Sequence, residues 1–207
     1  MTNPDSTFES LIDAAERGDI AAIRAQVADG FDVRATNPYG ESVLAAAISG
    51  LEVVVNIPAP HRYAVVTVLL ELGFDPNQLD SDRMGPLTEA MLAMDTEMLR
   101  LLLDAGARPN DAAGFVASDT LYDWAEFDYQ YEVWNIDGIP ENFTDADEAS
   151  EDTWLAWLDR MAIKYNRRRP DHLLLLRERG AKTQRELISQ PDQNPAPINS
   201  LKRLHDT

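Results

Sequence analysis

Residues 85–110 read GPLTEAMLAMDTEMLRLLLDAGARPN, and the spacing of their apolar positions decides the fold. Leu87, Ala90, Met91 and Met94 recur at i, i+3, i+4 and i+7, which is one face of a helix. Met98, Leu99, Leu102 and Leu103 repeat the pattern, so a second helix is predicted after a break at Asp95 and Thr96. Gly106 falls just past that second helix, where a residue without a Cβ takes a left-handed C-cap with least strain. Two such short helices cannot bury their apolar faces alone and need neighbours of the same kind.

The chain supplies those neighbours. VADGFDV (27–33), LELGFDPN (70–77) and LRERGAKT (176–183) have the same ending as LLDAGARPN (102–110), with Gly30, Gly73 and Gly180 matching Gly106. SVLAAAISG (42–50) and TLYDWAEF (120–127) match GPLTEAMLA (85–93). Gly30 to Ser42 and Gly73 to Gly85 are both twelve residues, and Gly85 to Gly106 is twenty-one. With Gly85-Pro86-Leu87-Thr88-x-Ala90 opening one helix and Leu102-Leu103-x-x-Gly106-Ala107 closing the next, the chain resembles the ankyrin repeat family. The resemblance implies an all-α solenoid of stacked helix-turn-helix repeats, at about 8–37, 38–80, 81–113 and 114–183. A half-matching copy, Leu11-x-x-Ala14-Ala15-x-x-Gly18-Asp19, lies at its start, a short piece at Arg185–Ile188 follows, and 191–207 is a tail.

Two insertions break the period, each between the two helices of its repeat. Ser42 to Gly73 spans thirty-one residues where twenty-one are expected, which puts about ten extra at 53–62. Thr120 to Gly180 spans sixty, which puts about thirty-nine within 131–169. Insertions in repeat arrays map to loops and often to a binding face, although the shorter one reads first as plain surface decoration.

Charge is concentrated in one place. The chain has 36 Asp and Glu against 18 Lys and Arg, a net charge of −18. Fourteen of those acids, and no Lys, Arg or His, lie between Asp111 and Asp159, together with ten of the sixteen aromatic residues and all four tryptophans. So acidic a chain repels phosphate backbones and favours a basic protein partner. The run KYNRRRP after the block is read as neutralising its surface, and ENFTDADEASED (141–152) as a solvated, mobile loop.

The core of the block is TLYDWAEFDYQYEVW (120–134). As a helix it places Tyr122, Ala125, Glu126 and Tyr129 on the core face and Trp124, Phe127, Asp128, Tyr131 and Trp134 on the opposite one. In ankyrin-like arrays that opposite side belongs to the concave surface. Either the long insertion folds back over it, through a helix carrying the stripe Trp154, Trp157, Leu158, Met161 and Tyr165, or the rings stay exposed as a hot spot for a protein. The candidate partner-binding residues are Asp123, Trp124, Phe127, Asp128, Tyr131 and Trp134. To them are added Tyr39, Arg83 and Met84 at the turn tips 37–40 and 80–84, which the resemblance marks as contact points.

No catalytic centre is legible. His61, His172 and His205 match no metal-ligand spacing, and His172 in DHLLLL reads as a helix-surface or capping residue. There is no cysteine, phosphate loop or nucleophile elbow, and the acids lack the calcium-loop spacing and its glycine. No cofactor, metal or small-molecule substrate is expected. With no basic-apolar leader and no run of ~20 apolar residues, the chain reads as soluble and cytoplasmic. Fifteen Arg against three Lys is the usage of a GC-rich bacterial coding sequence. The expectation is a non-enzymatic interaction module, in its most concrete form a bacterial immunity or antitoxin-type inhibitor of a basic protein. The alternative is a general scaffold whose acidic block serves solubility.

Overall fold

The computed structural model describes residues 4–53, 59–111, 119–135 and 138–189. Part of the shorter insertion, Phe115, and the tail 191–207 lie outside the described residues. The described residues are all-α, with ten helices and a single isolated bridge, Thr36 to Ser42. The helices are α1 Pro4–Glu16, α2 Ile20–Ala28, α3 Val43–Val53, α4 Ala59–Glu71, α5 Pro86–Leu92, α6 Thr96–Asp104, α7 Leu121–Tyr129, α8 Glu151–Lys164, α9 Asp171–Glu178 and α10 Gln184–Ser189. A five-residue π-helical turn, Gln130–Trp134, continues α7.

These helices form pairs: α1 with α2, α3 with α4, α5 with α6, and α7 with α9. The first members pack in sequence order, α1 on α3, α3 on α5 and α5 on α7. The second members do the same, α2 on α4, α4 on α6 and α6 on α9. One continuous core runs between the two rows, and α6 delivers Met98, Leu99, Leu102 and Leu103 to it from a single face.

Local chemistry repeats along the rows. Gly30, Gly73, Gly106 and Gly180 sit at φ 97°, 94°, 93° and 83°, each just past the second helix of its pair. The residue after each returns its N–H to a carbonyl five positions back (Gln26, Leu69, Leu102 and Leu176), which closes the helix end. Asp19 and Asp95 cap α2 and α6 through their carboxylates, and Ser42 and Thr120 cap α3 and α7 through their hydroxyls. Between units the tie is an amide. Asn77 donates to the Gly106 carbonyl at 3.1 Å and accepts from Arg108 N at 2.8 Å. Asn110 does the same to Gly180 and Lys182, at 2.9 Å each.

The excess length is absorbed in two ways. Around 53–62 the helices themselves grow: α3 has 11 residues and α4 has 13, where α5 and α6 have 7 and 9. In 131–169 a further helix, α8, forms, and its Leu155, Trp157, Leu158, Met161 and Ala162 are buried. The 141–152 segment is mostly exposed, as expected of a solvated loop, and carries contacts of its own. Thr144 and Asp147 close a turn on each other, Asp147 pairs with Arg160, and Glu141 takes both Lys164 and the Tyr165 hydroxyl. Arg169 grips Asp159 at 2.7 and 2.9 Å. The cations at 160, 164 and 169 thus lie against acids of the insertion, as their reading as neutralising charge expects.

His172 also departs from its reading as a surface or capping residue. It is 1% exposed, with its ring 5.6 Å from that of Tyr129 and a hydrogen bond to the Ala125 backbone. Burial, with the Arg168 charge adding to it, lowers its pKa to about 4. Three of the four leucines that follow it, Leu173, Leu175 and Leu176, are buried with it where α9 packs on α6 and α7.

Two predictions follow from these contacts. Asn77→Ala and Asn110→Ala should each lower the urea midpoint with m unchanged, by about 1 kcal/mol, the usual worth of one tie of this kind. For His172, the unfolded chain takes up a proton below about pH 6.5 that the folded chain refuses until about pH 4. Between pH 7 and 4, wild type should therefore lose up to about 3 kcal/mol relative to His172→Gln, measured as the difference of their urea midpoints.

Candidate functional site

The side chains of α7 divide more sharply than helical spacing implies. Leu121, Tyr122, Ala125 and Tyr129 are buried, and the Tyr129 hydroxyl donates to the Arg168 carbonyl at 2.7 Å. Glu126 lies on the margin of that face. It accepts from the Trp154 indole and from Gln130, and burial holds its carboxyl above the usual range. Asp123 is built into the helix start, accepting from Thr120 N, the Thr120 hydroxyl and Gln184 N at 2.8 to 2.9 Å.

Of the candidate anchors, Phe127 and Tyr131 stand in solvent, 66% and 60% exposed, with stacked rings whose centroids are 6.4 Å apart. Trp124 is half-buried against the core and donates to Asp128, whose carboxyl is also raised by burial. Trp134 is no anchor: it is 5% exposed, with Tyr165 edge-on at 6.2 Å. The π-helical turn explains the difference. It advances roughly 80–85° per residue instead of 100°, which carries residue 134 roughly 70° from the Phe127 side toward that of Tyr129. Tyr165, just past α8, packs against it, while Trp154, Trp157 and Phe143 form their own cluster, with Trp154 and Trp157 stacked at 4.9 Å and Phe143 edge-on to both. The insertion thus buries part of the aromatic set and leaves Phe127 and Tyr131 outside.

The turn tips form a separate feature. Asn37 Oδ1 accepts from Tyr39 N and Glu41 N, and Asp80 Oδ1 accepts from Asp82 N and Met84 N, so the two turns have one design. Tyr39 is 86% exposed, Met84 is half-buried, and Arg83 holds φ 62° where the sibling turn has Gly40. The side chain of Arg83 reaches back to the Asp111 carbonyl. Between the tips and α7, Glu41 and Glu89 are partly buried with raised pKa values, each pushed up first by burial and then by a neighbouring carboxylate, Asp80 for Glu41 and Glu41 for Glu89.

Electrostatically, α7 differs from the insertion. Among the described residues, Asp123, Glu126, Asp128 and Glu132 have no salt bridge, whereas Glu141, Asp147, Asp152 and Asp159 do. A cavity of about 370 Å³ opens beside the exposed rings, lined by Asp123, Glu126, Phe127, Gln130, Tyr131, Trp134, Asn135, Gly138 and Ile139. No cation lines it. Sequence reasoning missed Gln130 and Ile139, which carry no functional signature of their own, and set Glu126 in the core. Among the described residues no group of three or more His, Asp or Glu is placed to hold a metal, and no helix is long and apolar enough to cross a membrane. No protein-family model matches the chain, and no curated protein matches it either.

Exposure separates the two ring classes experimentally. Trp134→Ala should cost about 3–5 kcal/mol in urea denaturation, as a large side chain lost from the core, while Phe127→Ala should stay within about 0.5 kcal/mol of wild type.

Proposed function

We propose that this chain is a non-enzymatic binding module, an ankyrin-type α-solenoid that docks a basic protein on the exposed face of α7. The stacked Phe127–Tyr131 pair carries the reading. Two large rings held in solvent by a packed helix, beside carboxylates with no ion pair of their own, are the composition of a binding hot spot rather than of a solubilising surface. The two rows of helices with repeated glycine caps and amide ties support the solenoid reading. The α7 carboxylates Asp123, Glu126 and Asp128 supply steering charge beside the rings, and the insertion's Asp145 and Glu148, which form no salt bridge among the described residues either, add to it. In its most concrete form the module is a bacterial, cytoplasmic immunity or antitoxin-type inhibitor that occludes the basic cleft of a toxin. Nucleic acid is disfavoured by the same charge.

The test is affinity capture by the full chain, with wild type set against a Phe127→Ala/Tyr131→Ala double variant. The expected partner has a pI above 9, binds less tightly as salt is raised, and loses about thirty-fold in affinity to the variant, the ratio equivalent to about 2 kcal/mol at a hot spot. A toxin partner should also lose its activity on addition of the chain. Recovery of only neutral or acidic proteins, or of partners indifferent to both rings, refutes the reading.

A further inference from the structure

The cavity beside α7 has a chemistry narrower than "basic partner". Its lining includes the stacked rings of Phe127 and Tyr131, the apolar Ile139, and the carboxylates of Asp123 and Glu126. These two carboxylates are three residues apart on one helix, and so lie on one face of it. Both are fixed before any ligand arrives: Asp123 by the helix start and the Gln184 backbone, Glu126 by the Trp154 indole and the Gln130 amide. All of those donors are neutral. Basic residues line other cavities nearby, Arg185 one that it shares with Asp123 and Glu126, and Arg167 and Arg168 one that they share with Asp128 and Glu132. Arg168 is already spent on the Met94 carbonyl.

We infer that this cavity is an acceptor for one arginine side chain of a protein partner, whose guanidinium lies against the Phe127–Tyr131 stack and donates to Glu126 and Asp123. Three features select a guanidinium over other groups. A flat delocalised cation stacks on aromatic faces, whereas an ammonium is a compact, strongly hydrated point charge. Its rigid fork presents five donors, enough to reach two carboxylates one helical turn apart. The cavity offers acceptors and apolar walls and, among the described residues, no positive group, which disfavours phosphate and carboxylate ligands. Burial penalises the Glu126 charge while no cation is near, and an arriving guanidinium relieves that penalty. Preorganisation of both carboxylates keeps the ordering cost of binding small.

The inference rests on the binding-module reading, and its test is separable from it. The probes are three Gly/Ser peptides of equal length that carry one central arginine, lysine or citrulline, titrated into the full ¹⁵N-labelled chain by NMR. The arginine peptide should shift the Trp154 indole N–H, which bonds Glu126, together with the amides of residues 123–131. Lysine should bind several-fold more weakly, and citrulline, the uncharged isostere, should leave those signals in place. Phe127→Ala, an exposed position, should weaken the arginine peptide about ten-fold, the loss of one ring–guanidinium contact of about 1–2 kcal/mol, and Glu126→Gln at least as much. Equal binding of arginine and citrulline, shifts centred elsewhere on the chain, or indifference to Phe127→Ala overturns the arginine site. If a basic protein is captured through Phe127 and Tyr131 all the same, only this inference falls. If the arginine peptide binds as stated and no basic protein is captured, the docking reading falls and the arginine site stands.

Discussion

The helices of this chain are too short to stand alone. A seven-residue helix such as α5 and a nine-residue helix such as α6 fall below the length at which isolated helices persist in water, so both exist only because each row of helices continues on either side. Everything else follows from that constraint. The glycine caps stop each second helix at the same place, and the asparagine ties hold each stopped end against the next unit in register. Asp95 shows how densely the joints are used: one carboxylate caps α6, receives the Tyr63 hydroxyl at 3.0 Å and lies 3.7 Å from Arg62.

Most of this frame could be read from residue order, because its causes are local. A left-handed cap needs glycine within one residue of a fixed position, and an apolar stripe at helical spacing has few alternatives. The tyrosines at 122 and 129 were recognisable as core residues because they occupy the register of leucine and alanine in sibling helices. What escaped depends on contacts distant in sequence or on departures from the regular helix. The π-helical turn that rotates Trp134 inward has no counterpart in hydrophobic periodicity. His172 carries a polar label, and only the packing of α7 against α9 buries it. Glu141 and Asp147 look free until the cations at 164 and 160 are seen against them. Glu126 was placed with the core, and its position at the mouth of a cavity emerges only once Trp154 arrives from α8.

Net charge alone is therefore a poor guide to where this protein acts. The most acidic segment spends much of its charge internally, on Arg160, Lys164, Arg169 and Arg177. The carboxylates of α7 and of the π-helical turn keep theirs, and they stand beside the two rings that α8 does not reach.

The placement of α8 between the two members of the fourth pair also bears on how the chain assembles. α5 and α6 are separated by a three-residue turn, whereas α7 and α9 must meet across the whole stretch 130–170. Closing the longer loop costs about 2 kcal/mol more chain entropy. Contacts of α8 to both partners bridge the gap in two shorter steps, Glu126 to Trp154 on one side, Asp152 to Arg177 and Asp159 to Arg169 on the other. The insertion is thus the clasp of the last pair, and it holds the helix that displays the exposed rings through Glu126 and Trp154.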